Sequence, residues 1–183
     1  YCNSKYFDKM IISKKIFSDV YLIKNNFNND KRGKFLKFNH EIIIKKKRIK
    51  FNQFCYSLNK KKNTFRGIHF QKYPYQEIKL VTCVEGKILD IIIDLDKKSK
   101  TYLKYKFVKL NQNKMHSLYI GKNYAHGFLT LTNKTTILYQ ISGPYIKSKQ
   151  SGLLWSDPAL KIKLPTKPKL ISLRDKSFNK IKT

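Results

Sequence analysis

Four histidines are spread over 183 residues, at His40, His69, His116 and His126. Imidazole takes and gives protons near neutrality, so these positions are the first candidates for acid/base chemistry. His69 stands in Arg66-Gly67-Ile68-His69-Phe70-Gln71, and His126 in Tyr124-Ala125-His126-Gly127-Phe128. Lys79, opening Lys79-Leu80-Val81, and Tyr139, inside Leu138-Tyr139-Gln140, add a cation and a phenol. Taken singly, each has a plainer reading. A lone histidine is more often a satisfied structural group, and Tyr139 is one of 12 tyrosines. His40 and His116 match no pattern and are expected at the surface.

Metal and disulfide chemistry find little support. His69 and His126 alone are too few ligands, and the first of these strings has no His-x-His pair, so neither a metal nor a cofactor is expected. Cys2, Cys55 and Cys83 are odd in number and show no Cys-x-x-Cys spacing. Free thiols in a reducing, cytoplasmic setting are the expectation.

The elements that must carry these groups read as strands. Residues 78–84 form a β-rich run, Glu85-Gly86 a turn, and residues 87–95 a second run. Residues 102–110 alternate apolar positions with lysine, the period of a half-buried strand. Residues 118–120, 126–131 and 136–141 continue the series, with Thr132-Asn133-Lys134 as a turn. Short strands at this spacing, with no long segment of helical period, predict an all-β sandwich or barrel. Period 2 puts Lys79, Val81 and Cys83 on one face of their strand, and Ile137, Tyr139 and Ile141 on one face of theirs. It does not say which way those faces point. The charge run Lys45–Lys50 is expected to be a solvated loop or short helix. The tail after Leu164, with Pro165 and Pro168, is expected to be extended along the surface. The length suits one domain, read as residues 17–183 behind an N-terminal extension of residues 1–16.

The longest apolar runs, such as Ile42–Ile44 and Ile91–Ile93, are far too short for a bilayer. Residues 1–16 lack the continuous hydrophobic centre of a signal peptide, so no membrane association is expected. The formal charge of +29 raises the question of nucleic acid. It comes from 36 lysines and only 4 arginines, whereas base readout favours the arginine fork. Only two alanines occur beside abundant Lys, Asn, Ile, Tyr and Phe, a skew that reads as A/T-rich coding. Binding to nucleic acid is therefore expected only non-specifically, through charge.

Seven strings, in order from residue 17 to 176, resemble one family. Asp30-Lys31-Arg32-Gly33-Lys34-Phe35 is similar to its DxRGxF segment, and Phe65-Arg66-Gly67-Ile68-His69-Phe70-Gln71 to its RGLHFQ signature. Lys79-Leu80-Val81 with Glu85-Gly86 is similar to KLVxVxxG, Tyr124–Phe128 to FAHGF, and Leu138-Tyr139-Gln140 to FLYK. Trp155–Leu160 resembles WxDPAL, and Leu173-Arg174-Asp175 resembles SxKD. The family is dTDP-4-dehydrorhamnose 3,5-epimerase, dimeric cupin-type jelly rolls with short peripheral helices. The resemblance implies epimerisation at C3 and C5 of a dTDP-4-keto-6-deoxyhexose in rhamnose biosynthesis, by proton abstraction and return. Both carbons lie beside the C4 carbonyl, so the chemistry requires a base on one face, an acid on the other and a stabiliser for the enolate oxygen.

Within that resemblance His69 is the base, oriented by Asp175, Tyr139 is the acid, and Lys79 supplies charge to the oxyanion. Gln53, Arg66, His126 and Tyr145 are the implied substrate contacts, and Arg32 and Phe35 reach the nucleotide bound by the other subunit of a homodimer. The chain departs from the family pattern at Lys37, where an acidic residue is usual, and at Cys55, where Asn is usual. Gly121 and Asn123 replace a Pro and a Gly before the His126 strand. Two other readings compete: a single-centre epimerase or keto-isomerase of another nucleotide sugar, and a non-catalytic basic barrel that binds polyanions.

Overall fold

A computed structural model describes residues 11–181. In chain order its strands are β1 (Ile11–Phe17), β2 (Val20–Lys24), β3 (Asn28–Asp30), β4 (Gly33–Phe35), β5 (Glu41–Ile44), β6 (Lys47–Lys50), β7 (Gln53–Asn59), β8 (Phe65–Gln71), β9 (Lys79–Glu85), β10 (Lys87–Asp94), β11 (Tyr105–Asn111), β12 (Ser117–Ile120), β13 (Tyr124–Thr130), β14 (Thr135–Ile141) and β15 (Gln150–Gly152). A one-turn helix, α1 (Leu173–Lys176), closes the tail. Two antiparallel sheets face each other, one ordered β1-β2-β12-β9-β14-β7 and the other β11-β10-β13-β8-β15. This is the expected all-β jelly-roll sandwich.

Three apolar layers hold it together. Between the sheets, Val81, Cys83, Leu118 and Ile137 meet Ile88, Ile92, Val108 and Phe128. Outside the five-stranded sheet, Phe65, Ile91, Ile93 and Leu129 are covered by tail residues including Leu153, Trp155 and Leu160. Outside the six-stranded sheet, Tyr21, Ile23, Leu80 and Tyr119 lie under Ile42, Ile44 and Phe51. Coverage on both sides explains why β10 is apolar at nearly every position rather than alternating. The strand faces bearing Val81, Cys83 and Ile137 therefore point inwards.

Three expectations change. The charge run at Lys45–Lys50 is neither loop nor helix: β5 and β6 pair as a hairpin with Ile44 opposite Lys47. Lys45 and Lys46 form its tight turn at φ 47° and 62°. Two-residue turns of this kind favour Asn-Gly, so a Lys-Lys pair hides the turn, and burial of Ile42 and Ile44 holds it in place. The strand expected from residue 102 starts only at Tyr105, after a turn with Leu103 at φ 59°. Ile11–Phe17 pairs with β2, so the sheet begins inside the expected 1–16 extension, whose first ten residues lie outside the described residues. No helix among the described residues is long and apolar enough to cross a membrane.

Candidate active site

β8 carries two of the candidate groups, and a bulge makes them neighbours. Along β13 the partners of His69 and Arg66 are His126 and Phe128, so three steps on β8 match two on β13. Without the extra residue, Arg66 and His69 would point to opposite faces. With it, both line one cavity of about 350 Å³ beside Asp175. The bulge needs glycine: Gly67 has φ 122°, and a Cβ there would lie 2.6 Å from the Gly127 Cα.

The His69 ring meets the tail. Its Nε2 lies 2.7 Å from Asp175 Oδ1, and Asp175 Oδ2 accepts the Gly67 N–H at 3.0 Å. Burial on its own would raise the Asp175 carboxyl. The hydrogen bonds from His69, Gly67 and Ser172 outweigh it and hold the carboxyl below its ordinary range. An ionised carboxylate only accepts, so Nε2 is the donor and Nδ1 of His69 carries the free lone pair. The tail reaches this point because Ser172 caps α1, its hydroxyl accepting the Asp175 N–H at 3.1 Å.

Directly across the strand pair from His69 stands His126, buried, with Nε2 2.9 Å from Asp90 Oδ2. Burial pushes the Asp90 carboxyl up, opposed by His126 and then Lys79. The Tyr139 ring packs edge-on against His126, centroids 6.1 Å apart at 77°. Burial, reinforced by the Asp90 charge, pushes the Tyr139 hydroxyl far up, so it stays protonated as a potential donor. Lys79 Nζ pairs with Glu77 Oε1 at 2.9 Å, and both side chains are nearly buried. Arg66 donates from Nε to Asn59 Oδ1 at 2.8 Å.

The remaining candidates divide. Gln53 Nε2 donates to the Gly143 carbonyl at 2.6 Å, tying β7 to the loop that carries exposed Tyr145. That loop is also clamped by Gln71, which donates to the Pro144 carbonyl and accepts the Ile146 N–H. Arg32 and Phe35 lie on the exposed β3–β4 hairpin, away from His69. Arg32 pairs with Asp30 at 2.6 Å, and the hollow there is lined only by hairpin residues. A larger hollow of about 790 Å³, between the β1–β2 turn and the β5–β6 hairpin, is lined by none of the candidate groups.

Three partners escape a motif search: Asp90, Glu77 and Asn59. Asp90 has a signal of its own, a single carboxylate inside Ile88-Leu89-Asp90-Ile91-Ile92-Ile93, where an unpaired charge is prohibitive. Glu77 and Lys79 are two residues apart, a spacing that suggests a shared strand face. Asn59 gives no signal.

His69, Lys79 and Tyr139 thus stand on the inner side of an apolar sandwich, His69 paired with Asp175, Lys79 with Glu77, and Tyr139 packed on His126. Fold and site together define a jelly-roll enzyme built to move protons on carbon. The family model for dTDP-4-dehydrorhamnose 3,5-epimerase matches residues 14–183. The chain is 32% identical over 169 residues to the dTDP-4-dehydrorhamnose 3,5-epimerase of Shigella flexneri, covering 91% of this chain and 93% of that one. It is also 32% identical to a dTDP-4-dehydrorhamnose 3-epimerase of Streptomyces niveus, covering 80% of this chain and 72% of the relative. The crystal structure of the Bacillus anthracis 3,5-epimerase with TDP and PPi bound superposes with a TM-score of 0.85 at 30% identity, covering 94% of this chain and 99% of that one. The chain belongs to the dTDP-4-dehydrorhamnose 3,5-epimerase family.

Proposed function

We propose that the chain inverts C3 and C5 of a dTDP-4-keto-6-deoxyhexose in deoxysugar synthesis. The observation that supports this most is the His69–Asp175 pair, set beside His126 and, through it, Tyr139. His69 Nδ1 removes the proton from the carbon next to the C4 carbonyl, leaving an enolate and an imidazolium held by Asp175. Lys79 stabilises the enolate oxygen as a cation, and His126 contacts the substrate from the neighbouring strand. Tyr139 delivers its hydroxyl proton to the opposite face of the carbon. The carbon gains one proton for the one it lost, the carbonyl re-forms, and solvent restores Tyr139 and His69. Repetition at the second carbon completes the reaction. Arg66, Gln53 and Tyr145 hold the rest of the substrate.

The active unit on this reading is a homodimer. The β3–β4 hairpin carries Arg32 and exposed Phe35 with no partner for them near this chain's own His69, which suits a role in a neighbouring subunit's site. β7 ends its sheet with Phe54, Tyr56 and Leu58 at alternate positions, 51%, 67% and 50% exposed, an apolar stripe that a second copy would cover.

Turnover of dTDP-4-keto-6-deoxyglucose in deuterated water tests the reaction. Deuterium at both C3 and C5 is expected. Deuterium at C3 alone would support the single-centre reading that the Streptomyces niveus relative favours, and deuterium at neither would sink both.

A further inference from the structure

The hollow of about 790 Å³ between the β1–β2 turn and the β5–β6 hairpin lies apart from His69 and has a chemistry of its own. Tyr119 and Tyr124, with Ile49, give it aromatic and apolar surface. Lys47 of the hairpin and Lys122 of the β12–β13 loop line it too, and neither ammonium has a hydrogen-bond or ion-pair partner among the described residues. Asp19 joins them from the β1–β2 turn, partly buried, with a carboxylate that accepts no hydrogen bond from the described residues.

The fold fixes these groups in place. The Tyr124 hydroxyl is hydrogen-bonded to Ser18 Oγ at 2.9 Å, and the Gly121 N–H donates to the Asp19 carbonyl at 2.9 Å. A Cβ at position 121 would run into the Asp19 carboxylate. Gly121 stands where the family pattern has proline, which carries a Cβ and lacks the N–H, so this turn is a feature of this chain. Tyr119 packs on Tyr21 with ring centroids 5.9 Å apart, and Lys45 lies over Tyr21 while donating to the Ser18 carbonyl at 3.0 Å. Lys45 is thereby committed to the fold, as Arg48 is to buried Glu41. Lys47 and Lys122 are the cations left for a ligand.

We propose that this hollow is a second binding site, separate from the reaction site and selective for ribonucleoside phosphates. A ligand that uses every wall has a flat ring, neutral hydroxyls and an anionic end. Inorganic phosphate would leave the tyrosine surface unused and meet the Asp19 charge, and a fatty acid would cover Asp19 without offering it a donor. A ribonucleotide lays its ring on the tyrosines, donates its 2′- and 3′-hydroxyls to Asp19 and sets its phosphates between Lys47 and Lys122. The volume lies within the roughly 300–1,000 Å³ usual for small-molecule sites. Ile78, which precedes Lys79, and Tyr124, two residues before His126, also line the hollow, so the ligand adjoins both strands that carry those groups. The assignment does not depend on the reaction proposed above.

Calorimetric titration with ADP, in the presence of enough dTDP to fill the reaction site, tests it. ADP should still bind wild type, and 2′-deoxyADP should bind about threefold more weakly for want of one hydroxyl. Lys47→Glu and Lys122→Glu should each weaken ADP about tenfold, the scale of a lost charge-assisted hydrogen bond. Asp19→Asn should narrow the difference between ADP and 2′-deoxyADP. Lys109→Glu makes the same charge change at an exposed position of β11 outside the hollow and should leave ADP binding unchanged. ADP that fails to bind in the presence of dTDP, or binding that falls equally in all three lysine variants, would overturn the assignment, the second outcome marking attraction by net charge alone. Wild type that takes ADP but not dTDP would leave this site standing and count against the nucleotide-sugar reading instead.

Discussion

Asp175→Asn is the substitution with the most to say about the site. The carboxylate accepts two hydrogen bonds at once, from His69 Nε2 at 2.7 Å and from the Gly67 N–H at 3.0 Å, in a position that is almost wholly buried. An amide of the same shape has one acceptor atom and one donor atom. If its NH2 faces Gly67, two donors meet in a buried site, at a penalty of about 1–3 kcal/mol. If its NH2 faces His69, Nε2 must accept, the ring proton moves to Nδ1, and the lone pair that the proposed base needs is lost. Avoiding the buried donor clash at Gly67 therefore selects the inactive tautomer. The rate should fall by about 10²–10⁴, the usual contribution of a positioned general base, and up to about 10⁴ where a triad carboxylate is made neutral. Folding should weaken by about 1–3 kcal/mol, a fall in Tm of roughly 2–4 °C per kcal/mol for a chain of this size. The pH dependence has a definite sign. Asp175 is held below its ordinary 3.8, so the stability it contributes is present above that value and lost as pH falls through the lowered one. Wild type and Asp175→Asn should therefore differ most near neutrality and converge in acid. Deuterium exchange at C3, followed by NMR, measures the rate, and urea unfolding between pH 2 and 7, taken at roughly unit steps, measures the stability. A variant that exchanges within about threefold of wild type would refute the assigned tautomer.

Other outcomes follow from the same geometry. His69→Ala should abolish both inversion and solvent exchange, whereas Tyr139→Phe should lose inversion yet retain exchange, since His69 can return a proton to the face it left; equal defects in both assays for both variants would contradict the two-faced mechanism. Tyr56→Asp, placed in the exposed stripe of β7, should shift the protein from dimer to monomer in light scattering and lower turnover, and a dimer that persists unchanged would point to another interface. Burial pushes the Cys83 thiol up to about 12, while Cys55 is exposed, so iodoacetamide at pH 8 should label Cys55 and spare Cys83 in peptide mass spectra. Any complex with DNA should be indifferent to sequence and disappear between low and moderate salt, and one that survives physiological salt would mean that the lysine-rich surface is a specific partner site.

Much of this was written in the sequence. Short β-rich runs separated by turns over residues 78–141, one of them alternating at 102–110, mark the strand series, because strands of this length end at turns and only a half-buried one shows period 2. The strings around His69, Lys79, His126, Tyr139 and Asp175 mark the candidate groups through their resemblance to the family's motifs, since each residue type alone has a plainer structural reading. Local pattern does not reveal direction or partnership. That the Lys79 and Tyr139 faces point inwards depends on which face meets the opposite sheet. That Arg66 and His69 share a cavity depends on a one-residue bulge, and a single added residue reverses every side chain beyond it. Asp175 lies 106 residues from His69, and Asp90 lies 36 from His126, so only packing of the tail on β8 and of β10 on β13 brings each carboxylate to its imidazole. The β5–β6 hairpin was hidden because its turn is Lys-Lys, a pair that takes left-handed backbone only when buried isoleucines beneath it supply the energy. Residue types set what chemistry is available, and the tertiary structure decides which groups meet, since a long-range contact is fixed by packing and by no local preference.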